Sequence, residues 1–356
     1  MKRALSLISL AGMFLAACGG GNNASATPTP PSASPLPAGV LTHVDTPVLF
    51  GQTASIDILV IDQSAHSLYV ADRTDVGVDV LDVSTPRARY VRTLILKSGP
   101  NGIVLAPDLN ELFSANNDST VVVFDLKSGK QVASVSTGGK GRADELDYDP
   151  KDHKVYVANS SDGFVSVIDA KSNTVVKKFD KVSSGSIEQP RYDPADGMFY
   201  LTLSDDNAIV QFDPSKDEMV KRFDVGVTCG PQGIAINPQT NQALLGCNDK
   251  KKQQAVLWDI AAGKVISTFS QAGAGDVTLY DPKVNRFFFA ASNFTKDGSP
   301  APELAVFNAS PPVSYLATMA TAVGSHAVAY DETNKVVYTQ DQKPNDGGLF
   351  AFPLPA

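Results

Sequence analysis

The 356-residue chain is poor in the residues that carry most enzyme chemistry: it has 3 cysteines, 4 histidines and 1 tryptophan. It contains no HExxH pair, no GxSxG elbow, no glycine-rich phosphate loop and no CxxCH site. Serine hydrolysis, nucleotide binding and c-type haem are therefore disfavoured. Positive charge is scarce too, with 30 Lys and Arg against 38 Asp and Glu and a net charge of -8. The only basic cluster, Lys250-Lys251-Lys252, falls in one loop and reads as a solvated tip. No basic surface interleaved with aromatics is present, so nucleic acid is not an expected partner. The one long apolar run, residues 4–15, is too short for a permanent membrane helix.

That run follows Lys2 and Arg3 and ends in Leu15-Ala16-Ala17-Cys18, the layout of a secretory signal peptide over residues 1–17. The LAAC ending resembles a bacterial lipobox, which implies lipidation of Cys18 and a membrane anchor. Gly19 stands where an inner-membrane retention aspartate would sit, so the expected location is the outer membrane, facing the periplasm or the cell surface. Residues 18–39 are Gly, Asn, Ser, Ala, Thr and Pro with Leu36 as the one large apolar side chain, and read as a flexible tether.

The rest, residues 40–356, is repetitive. Proline turns recur at Pro107, Pro150, Pro194, Pro238 and Pro282, with Gln63 and Glu332 in the same place at the two ends. The spacing is about 44 residues, which suits propeller blades. Within one unit, residues 145–179 alternate apolar and polar positions in four short runs separated by Pro-Lys-Asp, Asn-Ser-Ser-Asp-Gly and Lys-Ser-Asn turns. That is the pattern of antiparallel hairpins. A third run ends in Asp82, Asp125, Asp169, Asp213, Asp259 and Asn308, where the recurring acid fits turn capping. The expected fold is all-β: a seven-bladed β-propeller of four-stranded antiparallel blades. The last repeat shows three clear strands, so residues around 44–50 are expected to supply its fourth and close the ring.

The segment VYVANSSDGFVSVIDAKSNTVVKKF, residues 155–179, resembles the YVTN family of propeller repeats, with looser versions from Leu112 and Ser67. The resemblance covers nearly all of the chain after about residue 50. It implies the propeller fold and leaves function open, because such propellers serve as scaffolds, binding proteins and enzymes alike.

Cys229 and Cys247 flank the hairpin of the fifth repeat and are expected to form a disulfide, the alternative being two separate thiols. Trp258, in a third strand, is expected to pack between blades. Six residues before each proline-turn site stand Asp57, Asn101, Asp144, Glu188, Gln232, Asp276 and His326, one polar residue per repeat. They are expected to ring the channel mouth, with Arg191 near Glu188 offsetting charge and the loop 293–302 forming a rim or partial lid. Asp57, Asp144, Glu188 and Asp276 offer hard oxygen ligands for a divalent cation such as Ca²⁺, and His326 is the candidate general base.

Two functions fit. One is a lipid-anchored cell-envelope scaffold that binds a protein, glycan or small molecule at its top face. The other is a metal-dependent lactonase-type hydrolase, as in gluconolactonase-like propellers, which resemble this chain in blade design but have six blades. The chain matches their specific motifs poorly, and no ligand carries over residue by residue. No cofactor other than that cation is implied.

Overall fold

A computed structural model describes residues 42–46, 55–342 and 347–354. The signal peptide and tether, and residues 47–50 of the expected closing strand, lie outside the described residues. The described residues form seven four-stranded antiparallel sheets and one two-stranded ribbon.

Blade 1 consists of Ile56–Asp62, Ser67–Asp72, Gly77–Asp82 and Arg89–Ile95, paired in chain order, and the next five blades repeat this plan. Blade 7 differs. Its three C-terminal strands, Ala329–Asp331, Val336–Asp341 and Gly348–Pro353, are completed by Thr42–Asp45, which pairs antiparallel to the last of them. The first and last segments of the propeller thus share one sheet, and no blade is left three-stranded. The closing strand begins earlier than the sequence suggested, with Val44 opposite Leu349.

Local chemistry sets the turns. At the end of each innermost strand an Asp or Asn side chain accepts the backbone N–H two residues on: Asp62 from Ser64, Asp149 from Lys151, Asp193 from Ala195, Asn237 from Gln239, Asp281 from Lys283 and Asp331 from Thr333. These Asx turns reverse the chain where a proline or polar residue follows. Third strands end the same way, with Asp82, Asp125, Asp169, Asp213 and Asp259 accepting N–H groups of the next turn. Blade 2 is the exception among innermost strands, with Ala106 at the turn position.

Packing is between blades. Second and third strands are buried almost throughout, while outermost strands alternate or are largely exposed. Tyr156 of blade 3 stacks on Phe199 of blade 4 with ring centroids 4.0 Å apart. Trp258 of blade 5 is fully buried and meets Phe223 of blade 4 edge-on at 5.2 Å. Such aromatic seams add about 0.5–1.5 kcal/mol per pair beyond area burial. Cys229 and Cys247 are joined as a disulfide with a Cα–Cα distance of 4.6 Å. The bulge between Pro231 and Gly233 lets the strand reach Cys247 although Cys229 stands two residues before Pro231.

Innermost strands approach closely at the upper mouth. A Cβ on Gly102 would lie 2.5 Å from the Asp144 carbonyl oxygen, and one on Gly233 2.3 Å from that of Asp276. Glycine on one blade therefore sets the backbone position of the acidic residue on the next.

Candidate functional site at the upper mouth

The mouth holds a cavity of about 310 Å³. Six of the seven ring residues line it: Asp57, Asp144, Glu188, Gln232, Asp276 and His326. The seventh, Asn101, is buried beside it. Its amide nitrogen donates to the Ala143 carbonyl at 2.7 Å and its oxygen accepts from Arg73 Nε at 3.0 Å, so it holds an arginine instead of facing the cavity.

Two cations complete the lining. Arg73, from the upper loop of blade 1, pairs with Asp57, whose other oxygen meets His326 Nε2 at 2.8 Å. His326 Nδ1 contacts the Gly324 carbonyl at 2.7 Å. Gln342 Nε2 lies 3.3 Å from the same Nδ1, so the ring is held on both sides. Arg142 pairs with Asp144 and donates from Nε to Ser160 Oγ at 3.3 Å. Glu188 Oε1 accepts from the hydroxyls of Ser186 and Ser204 at 2.5 and 2.8 Å. The side chains of Asp276 and Gln232 make no hydrogen bond to the described residues, which leaves them available to an occupant of the cavity.

Several sequence expectations are corrected here. Among the described residues, Asp57, Asp144, Glu188 and Asp276 supply no group of three carboxylates with ligand oxygens within 4.8 Å of one another. Asp57 and Asp144 are drawn aside by Arg73 and Arg142, and Glu188 by two serines, so the four do not converge as a metal cage. Arg191 lies nearest Glu145, at 4.0 Å, and bonds Gln189 and Pro190, so it serves the channel below the mouth and not Glu188. The 293–302 loop is no free lid. It folds into the ribbon of Thr295–Lys296 with Ser299–Pro300 and is tied to blade 5 where Gln253 brackets Thr295 at 2.7 Å.

The electrostatics are set first by burial and then by neighbouring charges. Burial raises Asp144, with Arg142 opposing and Glu188 adding. Burial pushes Asp276 up to about 7, His326 opposing and Glu188 and Asp144 adding. Glu145, one residue past the ring, is pushed up to about 8 by burial although Arg191 pulls the other way. Arg73 is lowered by burial and by the charge of Arg142. The cavity thus has more acid than its own cations neutralise.

Arg142 and Glu145 were not singled out in the sequence, yet a signal was there. Two residues before the ring stand Ser55, Gly99, Arg142, Ser186, Gly230, Ala274 and Gly324, of which only Arg142 is charged. One residue after it stand Ile58, Gly102, Glu145, Gln189, Gly233, Val277 and Ala327, where Glu145 alone is charged.

No protein-family model matches the sequence. No curated protein matches it either. Among solved structures, a chain of the "Crystal Structure of Mitotic Checkpoint Complex" is similar, with a TM-score of 0.70, 13% identity, and coverage of 93% of this chain and 98% of that one. At that identity the likeness speaks for the fold alone. The chain is a seven-bladed β-propeller; the YVTN likeness rests on residues 155–179 and their looser copies.

Proposed function

We propose that this propeller is a binding protein of the cell envelope, held to a membrane through a lipid on Cys18, whose upper mouth receives a cationic group of its partner. The observation that carries the binding site is the surplus of acid in the cavity. Burial, with neighbouring carboxylates adding, pushes Asp276 up to about 7 and Glu145 up to about 8, and the arginines Arg73 and Arg142, with Arg191 beside Glu145, are three against five carboxylates. A lysine, arginine or amine from a partner would supply that charge and meet the side chains of Asp276 and Gln232. The blades hold these groups on rigid strands, so little ordering cost falls on binding.

The metal-dependent hydrolase reading gains no support from this geometry, because Asp57, Asp144 and Glu188 are engaged by arginines and serines and leave Asp276 as the one unengaged carboxylate of the four. The scaffold reading gains general support from the fold. The lipid anchor rests on Leu15-Ala16-Ala17-Cys18.

Two experiments test these parts separately. Calorimetric titration with lysine amide, arginine amide and spermidine should show binding that weakens with salt and is lost in Asp276→Asn. Absence of binding by every amine would overturn the cationic ligand. Cys18→Ser should move the chain from the membrane fraction to the soluble fraction, and its retention in the membrane would refute the lipid anchor.

A further inference from the structure

Blade 1 departs from a pattern visible in its sister blades. The last residue of the second strand and the third residue of the third strand lie on the sheet face turned to the preceding blade. In blade 3 these are Asn159 and Ser166. Asn159 Nδ2 donates to Ser166 Oγ at 3.1 Å, and Ser166 Oγ donates to the Thr137 carbonyl of blade 2 at 2.9 Å. Asn159 Nδ2 also donates to the Val157 carbonyl at 3.2 Å, so the contact carries no charge and leaves only the Asn159 amide oxygen without a partner. In blades 2, 4, 5 and 6 the equivalent third-strand position is apolar, as Val122, Val210, Val256 and Ala305.

In blade 1 the same two positions are Asp72 and Asp79, and Asp75 joins them from the intervening turn. Each offers an oxygen, and these oxygens lie within 4.8 Å of one another. Exposures are 1% for Asp72, 0% for Asp75 and 0% for Asp79. Among the described residues no basic side chain pairs with Asp72 or Asp79. Asp79 Oδ1 accepts from Thr93 Oγ1 at 2.6 Å, while its Oδ2, fully buried, has no hydrogen-bond partner. Asp72 Oδ1 accepts the N–H groups of Thr74 and Asp75 at 2.7 and 3.2 Å, which fixes the turn and points the carboxylates together. Ionised carboxylates only accept, so they cannot satisfy one another. An ionised Asp79 with one fully buried oxygen left unpartnered is unfavourable unless a positive charge reaches it.

We propose that Asp72, Asp75 and Asp79 form a binding site for a divalent cation of the calcium class, set in the blade 1 face that packs against the closing blade. Three carboxylates and no sulfur or imidazole suit a hard cation. The partnerless Asp79 Oδ2 becomes a ligand, and the bound charge offsets the trio. Blade 7 is completed by the strand Thr42–Asp45, so a cation on the adjoining face of blade 1 would stiffen the propeller where its two ends meet. None of the three aspartates lines the upper cavity, and the site does not rest on the function proposed for it.

The test is Ca²⁺ binding by calorimetry to the full chain after chelation, with thermal melting alongside. The key variant is Asp72→Asn with Asp79→Ser, which copies the hydrogen-bonded pair of blade 3. Wild type should bind one Ca²⁺ and melt several degrees higher when saturated. The double variant should neither bind nor shift, yet melt at least as high as chelated wild type. If it does not fold, Asp79→Asn alone makes the same comparison. Asp144→Asn with Glu188→Gln in the upper cavity should leave Ca²⁺ binding unchanged. No binding by wild type, retained binding in the blade 1 variants, or loss of binding in the upper-cavity variant would each overturn the proposal.

Discussion

Asp144 and Glu188 sit at the mouth for reasons that differ from what holds the blades together. Their partners are Arg142 and two serine hydroxyls, and the amides of Asn and Gln can still accept from these. Asp144→Asn with Glu188→Gln should therefore cost no more than about 1 kcal/mol of stability, read by chemical denaturation. Failure to fold would make the ring a structural element. Gly102→Ala should cost more, about 1–3 kcal/mol, because the new methyl would meet the Asp144 carbonyl oxygen at 2.5 Å.

Glu145 gives the residue-scale prediction for pH. Its value in the folded chain is about 8 against an ordinary 4.5, so the folded state binds the proton more tightly than the unfolded one. The contribution is complete below about pH 4.5 and is lost as pH rises toward 8, at up to about 1.4 kcal/mol per pH unit. Asp276, ordinarily at 3.8 and here about 7, acts in the same direction. Melting temperature should fall from pH 5 to 8 in wild type and fall less in Glu145→Gln. Parallel profiles would show that Glu145 is not the titrating group. The ring itself was legible because one polar residue recurs at a fixed distance from each turn. Arg142 and Glu145 were not, because each is the one charged residue at its repeat position and so breaks the pattern.

At the scale of the element, two staples carry predictions. The disulfide of Cys229 and Cys247 spans 18 residues in sequence. Loop closure of that size stabilises by about 3 kcal/mol, so Cys229→Ala with Cys247→Ala should lower the melting temperature, and an unchanged one would contradict this. The strand Thr42–Asp45 supplies the fourth strand of blade 7 and buries Val44. Deleting residues 40–46 should lower the melting temperature strongly and expose the edge of Gly348–Pro353 to aggregation. A deletion variant that melts like wild type would mean the ring closes without it. The need for this strand was legible, since the last repeat ran short. Its register was not, because Val44, Val48 and Leu49 offer several apolar positions and sequence alone does not choose between them. The ribbon at Thr295–Lys296 was also missed: its order depends on Gln253 of a neighbouring blade, a contact that no local pattern encodes.

For the whole molecule, the fold was readable because seven imperfect copies each repeat the same turns and the same buried strands. Function was less readable, because propeller physics demands the blades and leaves the mouth free to vary. What the assembled ring adds is convergence. Side chains 269 residues apart in the chain, Asp57 and His326, meet at 2.8 Å. The surplus of acid they create belongs to no single blade.

The most direct measurement of the central claim is site-specific photo-crosslinking in the native cells with the full-length chain. Benzophenone side chains would be placed at the exposed upper positions Asn117 and Lys250 and at the exposed lower turns Lys151 and Lys171. The account predicts a discrete adduct from the upper positions alone, lost when Asp276 is changed to Asn. Adducts from the lower turns alone, or from neither face, would contradict a partner at the upper mouth.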